Sequence, residues 1–526
     1  MEVVGSFRHC KMKSKLVSLT LFIFLSLLAF SQSLKLGELF NEGVVLQRNA
    51  KVEIWGSAAP SEQITVGIQG KKYKALSNKD GKWTLNLSPM NAGGPFILTV
   101  ATANETLKIN EVYVGEVWIA GGQSNMAFQL EKSDGAKVEI ANAKNKNIRF
   151  VLVPALTYDG DRTRGDMNWR TATTENVGPM SGVAYFFAKQ LQEKLNVPIG
   201  IICCNKGGTA AEVWMSRETL LKNPDHAPIV TSYESYLSEL GKEKYEQLFA
   251  TYEKELKVYF DSVRAGHEAI RPVEPMGEKH YKRPCGLYNT MLKRVIPFTA
   301  KGVIWYQGEA NAQRAEQYQT LFPALIDEWR SDFNNPKMPF LFVQLANYNH
   351  PSYGEKPVWA ELREAQLLTW QKVKNTGMAV SMDVGNKNDI HPTNKKPVGE
   401  RLAATALNTV YKMKMPYSGP VFKSMKIKDN QIVLNFDFVY NGLTSKGELK
   451  GFTICSKDEK FVPAKAEIIN NQIIVSAKGM ESPVAVRYSW SNWSEGNLTN
   501  IEGFPATPFR TDNFEMITKG VKTQKY

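Results

Sequence analysis

The middle of the chain alternates short apolar runs with longer segments of helical periodicity. The apolar runs are EVWIAGG, IRFVLVP, PIGIICC, KGVIWYQ, PFLFVQLA and GMAVSMDVG, separated by helical patterns such as GVAYFFAKQLQEKL and VWAELREAQLLTWQKV. Short strands that are apolar throughout are typical of a largely parallel sheet covered by helices. We therefore predict an α/β domain at residues 111–415, with a helical insertion at 217–282, where strand signals are scarce.

Both flanks of this region have the periodicity of strands. Apolar and polar residues alternate in QITVGIQ before it and in NQIVLNF, NQIIVSA and VAVRYSW after it, and turn residues separate these runs. Such alternation without helical stretches indicates antiparallel β-structure. We predict a sandwich-like β-domain at 34–110 and a second β-domain at 416–526.

Residues 1–33 have the features of a secretory signal peptide. Basic residues precede the apolar run LVSLTLFIFLSLLAF, and small polar residues follow it. A run of about 15 apolar residues is shorter than the ~20 that a membrane-spanning helix needs. We expect cleavage near Ser31 to Ser33 and an exported protein without a membrane span, periplasmic in preference to secreted or lysosomal.

The composition excludes several other classes of protein. The formal net charge is +13, but lysine and arginine are spread along the chain without the basic runs of nucleic-acid-binding proteins. The cysteines after the leader form no Cys-x-x-Cys pair and no cluster with histidine, so we expect no metal and no cofactor. Cys203 and Cys204 are interpreted as core residues of a strand. The oligomeric state is not determined by the sequence.

Polar clusters follow four of the predicted strands, where an open parallel sheet has its functional crevice. These clusters are GGQSN, NKGGT, QGEAN and NDIHP. Ser124 follows two glycines at a strand end, and this position suits a nucleophile, although a serine in an ordinary turn is the alternative. His391 is the only histidine after the leader that follows a strand with a carboxylate two residues away, Asp389, so it suits a general base as well as a structural role.

The two middle clusters supply candidates for binding an oxyanion. Gly207 or Gly208 offers an unhindered backbone N–H, unless KGGT is only a turn. Asn311 offers a side-chain amide, and its alternative role is a helix N-cap. We also predict that Gln123, Gln307 and Glu309 bind the substrate; this list completes the candidate site.

In this order, GGQSNM, NKGGTAAEVW, KGVIWYQGEANA and NDIHPTNKKPVGERLA resemble the SGNH hydrolase superfamily and, within it, the sialate O-acetylesterase family of carbohydrate esterases. The resemblance implies a three-layer α/β/α hydrolase domain and a serine esterase mechanism. It implies Ser124 as nucleophile, His391 as general base and Asp389 as the acid that orients it. The oxyanion hole would consist of the N–H of Ser124, a glycine N–H and Asn311.

The sequence leaves alternatives for the carboxylate that orients His391 and for the substrate. Much of the superfamily places the acid three residues before the histidine, whereas Asp389 is two before His391, so Asp383 is an alternative. The family implies O-acetylated sialic acid as substrate, whose carboxylate would suit Arg283 or Arg401. A plant polysaccharide such as acetylated xylan is the alternative substrate.

The alternative of another class is a catalytically inert glycan-binding protein. Its binding surface would use aromatic residues of the β-domains, for which Trp490 and Trp493 are candidates, although we interpret both tryptophans as core residues.

Overall fold

The computed structural model of the protein describes residues 33–158 and 165–524. Residues 1–32 of the predicted signal peptide therefore lie outside the described residues. Within the two described ranges, no helix is long and apolar enough to cross a membrane. The chain forms two compact units, a smaller one and a larger one. The smaller unit contains residues 33–37, Glu53–Leu87 and Ile97–Asn110, and the larger unit contains Glu38–Val52, Ser88–Phe96 and the chain from Glu111 onward.

The smaller unit consists of antiparallel strands, as its alternating sequence predicts. The strands wholly or mainly within it are Lys35–Leu36, Val52–Ser57, Gln63–Ile68, Lys71–Leu76, Lys82–Leu87 and Gly93–Ala101. Gln63–Ile68 pairs antiparallel with Lys71–Leu76 and with Gly93–Ala101. Its alternate residues Ile64, Val66 and Ile68 are buried, so the period-two pattern marks the core face.

A mixed central sheet organises the larger unit. Its strands are Val45–Gln47 (β1), Thr106–Gly122 (β2), Ile148–Leu152 (β3), Arg170–Thr171 (β4), Ile199–Asn205 (β5), Gly302–Tyr306 (β6), Phe340–Gln344 (β7) and Thr376–Val380 (β8). β3, β5, β2, β6, β7 and β8 are neighbours in this order, and each neighbouring pair is parallel. β4 is antiparallel to β3, which makes the sheet mixed. The carboxyl ends of the parallel strands meet at one edge.

The helices of the larger unit include the long ones that the helical periodicity predicts and several short ones that it does not. They are Ser124–Ala127 (α1), Ala136–Ala141 (α2), Gly182–Leu195 (α3), Arg217–Lys222 (α4), Ala227–Leu240 (α5), Lys242–Arg264 (α6), Gly286–Thr290 (α7), Ala315–Asp332 (α8), Val358–Lys372 (α9) and Lys396–Thr409 (α10). The Ser181 hydroxyl caps the start of α3, and Asn196 ends α3 in the left-handed conformation. The segment predicted as a helical insertion contains α4, α5 and α6.

The last predicted strand, GMAVSMDVG, ends earlier than its apolar pattern suggests. β8 stops at Val380, and a 3₁₀ helix, Met382–Val384, follows it. The hydroxyl of Ser381 donates to the carbonyl of Gln344 at 2.6 Å. The last carbonyl group of the neighbouring strand β7 thus accepts a hydrogen bond from a side chain. The loop that carries His391 therefore begins at a short helix and not at a strand. Four further 3₁₀ helices are Leu130–Lys132, Ala211–Trp214, Leu292–Arg294 and Glu309–Arg314.

The C-terminal β-region forms its own apolar core. Its strands are Val421–Lys428, Gln431–Asp437, Leu443–Ser445, Phe452–Cys455, Val462–Pro463, Lys465–Ile469, Gln472–Ser476, Ala485–Tyr488, Leu498–Asn500 and Phe509–Arg510. Ile432, Ile454 and Val486, from three of these strands, are fully buried together. The region also packs on α9, where the buried guanidinium of Arg363 donates to the carbonyl oxygens of Ser491 and Asn492.

The sequence predicts that two cysteines and two tryptophans are core residues, and the structure confirms this only for the cysteines. Cys203 and Cys204 are buried on β5, as predicted, and burial raises the pKa of Cys203 to about 12. The prediction that Trp490 and Trp493 are core residues was wrong, because both are only partly buried. The ring of Trp490 lies 5.2 Å from the guanidinium of Arg510, at the boundary between the C-terminal region and α9.

Candidate active site

Ser124 lies directly after the central strand β2. Gly122 ends this strand with a φ of 128°, and a Cβ at this position would lie 2.2 Å from the Tyr306 carbonyl oxygen, so glycine is required. The N–H of Gln123 donates to the same oxygen at 2.9 Å, and α1 then begins at Ser124. This turn holds the partly exposed Ser124 where its own N–H has no partner within the helix.

Gly207, and not Gly208, borders Ser124. A Cβ on Gly207 would lie 3.4 Å from Cβ of Ser124 and 4.0 Å from its backbone nitrogen. Gly208 has a φ of 74°, and a Cβ there would lie 3.3 Å from Cε of Lys282 and 3.4 Å from the hydroxyl of Tyr281. Of the two glycines that the sequence offered, Gly207 is therefore the one whose backbone adjoins Ser124.

The Asn311 side chain is buried and held by three hydrogen bonds. Its Oδ1 accepts from the N–H of Ala211 at 2.9 Å and from Nε2 of Gln307 at 2.7 Å. Its Nδ2 donates to Oε2 of Glu212 at 2.9 Å. An asparagine amide has two hydrogens, so one N–H of Asn311 is left for a further acceptor. Gly308 is the N-cap of the helix Glu309–Arg314, so Asn311 is not a cap.

A buried ion pair that the sequence did not indicate supports Asn311. Glu212 bonds to Asn311 with one carboxylate oxygen and to Arg314 with the other. The side chains of Glu212 and Arg314 are only 2% and 3% exposed. A buried pair of this kind restricts its partners to one arrangement, because separating the charges would leave each without solvation.

The side chains of Gln123 and Gln307 form hydrogen bonds within the protein. Oε1 of Gln123 accepts from the N–H of Ala310 at 3.3 Å. Gln307 is 0% exposed, and its Oε1 accepts from the Tyr318 hydroxyl at 3.0 Å. Both glutamines hold the QGEAN turn in place. Their role in binding substrate stays a prediction.

His391 and Asp389 share a loop but not a side-chain hydrogen bond. Nδ1 of His391 lies 3.7 Å from Oδ1 of Asp389, and that oxygen accepts the backbone N–H of His391 at 2.8 Å. The two side chains are 38% and 56% exposed. Burial lowers the pKa of His391, Asp389 opposes this effect, and Lys395 adds to it. Near pH 7 the imidazole is therefore mostly neutral, the form that a general base needs.

Asn125 joins the histidine loop to the turn that carries Ser124. Its Nδ2 donates to the carbonyl of Ile390 at 2.9 Å, so the residue after Ser124 contacts the residue before His391. Ser124 and His391 are both described, and no hydrogen bond joins their side chains in this structure. Catalytic hydrogen bonds often tighten only when substrate is bound.

Asn125 also lies between two buried charged groups. It donates to Oε1 of Glu309 at 2.6 Å, and it accepts from Nζ of Lys395 at 2.5 Å. Glu309 and Lys395 are 6% and 1% exposed, and Oε2 of Glu309 has no partner among the described residues. Burial raises the pKa of Glu309 and lowers that of Lys395 to about 7. Asn125 and Lys395 were missed because a hydrophobic pattern does not reveal a buried polar contact.

The other charged candidates are occupied elsewhere. Asp383 accepts two hydrogen bonds of 2.6 Å from the guanidinium of Arg401. Arg283 donates to the backbone carbonyls of Thr157 and His280. Neither arginine is thus available to a substrate without breaking contacts inside the protein.

A cavity of about 1050 Å³ extends from Gly207 toward α6 and the segment that follows it. Its walls come from the loop at 155–158, from α6 and from the segment 271–282. The side chains include Tyr158, Phe249, Tyr252 and Tyr281 together with lysine, arginine and glutamate residues. A concave site with aromatic walls and a few charged groups is typical of binding sites for small polar ligands.

Comparison with known proteins gives consistent results. The family profile described as carbohydrate esterase, sialic acid-specific acetylesterase matches residues 114–264 and 275–408, which contain all four clusters at the strand ends. The sialate O-acetylesterases of Mus musculus and Homo sapiens are 29% and 28% identical to the chain, over 86% of this chain and 88% and 87% of theirs. A crystal structure of a carbohydrate acetylesterase from Xanthomonas citri is 35% identical, with a TM-score of 0.76, and the match covers 92% of this chain and 100% of that chain.

Proposed function

Because the chain belongs to the sialic acid-specific acetylesterase family of carbohydrate esterases, and is thus a carboxylic ester hydrolase acting on acetylated sugars, we propose that it deacetylates O-acetylated sialic acid through Ser124. The observation that carries this proposal is the position of Ser124. It starts a helix at the end of the central strand, beside the backbone of Gly207 and at the border of a cavity large enough for a sugar.

In the proposed reaction, His391 accepts the Ser124 proton while the hydroxyl oxygen attacks the acetyl carbonyl. The N–H groups of Ser124 and Gly207 and the remaining amide N–H of Asn311 stabilise the negative charge on the carbonyl oxygen. The C–O bond to the sugar then breaks, and His391 returns the proton to the leaving sugar oxygen. Water, deprotonated by the same histidine, attacks the acetyl-serine and releases acetate.

The test is acetate release by the purified protein from 9-O-acetylated sialic acid and from acetylated xylan. We expect sialate to be cleaved and Ser124→Ala to be inactive. Ser235→Ala, on the exposed face of α5, is the matched control and should keep full activity. If only xylan is cleaved, the proposed serine esterase mechanism stands and the assignment of sialic acid as substrate is refuted. If wild-type protein cleaves neither sugar nor an aryl acetate, the proposed function is wrong, and the glycan-binding alternative takes its place.

We further propose that the protein is exported and, of the extracytoplasmic compartments, resides in the periplasm. The support is the order of basic, apolar and small polar residues at 1–33. N-terminal sequencing of the protein recovered from the periplasmic fraction should begin close to Leu34. Recovery of the chain with residues 1–33 intact in the cytoplasmic fraction would contradict the proposal.

A further inference from the structure

We propose that Lys206 and Lys282, both beside the ring of Tyr281, form a subsite that binds the carboxylate of an acidic acetylated sugar next to Ser124. This inference rests on the proposed function and names the residues that would select an acidic sugar over a neutral one. Arg283 and Arg401, the residues that the sequence suggested for this role, are engaged by protein groups.

The two ammonium groups converge on one aromatic ring. Nζ of Lys206 lies 5.3 Å and Nζ of Lys282 lies 5.6 Å from the ring centroid of Tyr281. Lysines at this distance from an aromatic ring are attracted by the negative charge of its face. The half-buried ring of Tyr281 thus holds both cations on the same side of the cavity.

The pair of lysines is adjacent to the candidate nucleophile. Lys206 directly precedes Gly207, which borders Ser124. A Cβ on Gly208 would lie 3.8 Å from Nζ of Lys282, so this ammonium lies against the glycine turn. A sugar whose acetyl group reaches Ser124 therefore has its ring within reach of both lysines.

Two cationic side chains, Lys282 and Arg283, act on His280, which lies beside Tyr281. Burial, together with the charges of Lys282 and Arg283, lowers the pKa of His280 to about 4, so this histidine carries no charge near pH 7. Its ring stacks on Tyr281 with centroids 4.9 Å apart. Among the described residues, no carboxylate forms an ion pair with the ammonium of Lys282.

Other charged side chains also line the cavity. Glu253, Glu274 and Arg271 also line it, and Glu274 opposes the charge of Arg271. A carboxylate would therefore be attracted to the two lysines and repelled by the glutamates. Because a half-buried ammonium is less hydrated than an exposed one, its ion pair with a substrate carboxylate exceeds the contribution of a surface salt bridge.

The experiment compares 9-O-acetylated sialic acid with the methyl ester of its carboxylate, a neutral substrate of nearly the same shape. The measured quantity is the ratio of the two kcat/KM values for acetate release. We expect the wild type to prefer the acid, and Lys282→Gln to reduce this preference about tenfold, equivalent to about 1.4 kcal/mol, through KM for the acid. Lys206→Gln should act in the same direction, and Lys282→Arg should retain most of the preference.

The matched control is Lys254→Gln, which makes the same charge change at an exposed position of α6, and its ratio should equal that of the wild type. A thermal unfolding curve of each variant shows whether it is folded. If Lys282→Gln and the wild type have the same ratio, the inference is wrong while the proposed function stands. If the wild type releases no acetate from either sialate substrate, the proposed function itself fails.

Discussion

Replacing Glu309 with glutamine should change the free energy of unfolding in opposite directions at low and high pH. Glu309 accepts a hydrogen bond from Asn125 and lies in a buried network with Lys395. Glutamine keeps an oxygen acceptor for Asn125 and removes only the charge. Glu309→Gln therefore isolates the electrostatic part of this network.

The expected effect at pH 6 is a loss of stability. Burial lowers the pKa of Lys395 from 10.5 to about 7, so the ammonium is largely protonated at pH 6. The difference between these pKa values corresponds to about 5 kcal/mol that disfavours charging Lys395 in the folded state. Glu309 and Asp389 are the acids that offset its burial. Removing one partner of a buried pair typically costs 3–5 kcal/mol, and we expect about 3 kcal/mol because Asp389 remains.

At pH 9 the sign should reverse. Lys395 is then neutral in the folded state, whereas a lysine with a pKa of 10.5 is still protonated in the unfolded chain. Between about pH 7 and 10.5 the unfolded state thus binds more protons at this site, and its contribution to stability rises with pH. A neutral lysine needs no counter-charge, while burial disfavours the charged form of Glu309. Glu309→Gln should then be stabilising.

The assay is urea unfolding at pH 6 and pH 9, followed by tryptophan fluorescence. Glu243→Gln, an exposed position on α6, is the control for the charge change and should have no effect at either pH. The double variant Glu309→Gln/Lys395→Met removes both charges and should recover most of the loss at pH 6. An equal loss at both pH values would refute this reasoning, because packing and not charge would then explain the effect.

Three other predictions concern the histidine loop and the contact with the C-terminal region. Because burial lowers the pKa of His391, kcat/KM measured against pH should fall only below about 6.5, and a midpoint above that value would contradict the structure. Asp389→Asn should shift this midpoint to lower pH and reduce kcat about tenfold, far less than the ~10⁴ for a triad acid with a buried bond to its histidine, whereas Asp383→Asn should leave the midpoint unchanged. Arg363→Met leaves several buried carbonyls without a donor and should lower the unfolding free energy by at least about 3 kcal/mol in urea titration; an unchanged titration would be incompatible with those contacts.

The elements of the larger unit were predictable because their residues repeat with the period of the backbone. All six apolar runs are strands, and the bounds of α3 are those of its helical pattern. Even Pro323 does not end α8, because its neighbours in sequence continue the apolar face. The strand predicted over GMAVSMDVG was too long, since a side-chain hydrogen bond from Ser381, and not the apolar pattern, ends β8.

The candidate site was predictable only as a set of strand ends. Parallel neighbours β5, β2 and β6 bring Gly207, Ser124 and Asn311 to one edge, and this follows from strand order alone. The sequence did not separate Gly207 from Gly208, because both are glycines in one turn and only their φ angles and neighbours differ. The sequence also did not reveal the contact between Asn125 and Lys395, because these two residues are 270 positions apart.

The proposed chemistry and the proposed recognition of the substrate belong to different elements. Ser124, Gly207 and Asn311 lie on turns at the ends of central strands, where the sheet restricts their motion, and His391 lies on the loop after the short helix Met382–Val384. Tyr281 and Lys282 come from the segment after α6, which lines the cavity but contributes no strand to the sheet. A change in that segment can therefore alter which sugar is bound without moving Ser124 or Gly207. Under the two proposals, the wall of the cavity determines which sugar is bound, and the strand-end residues determine only that its acetyl ester is cleaved.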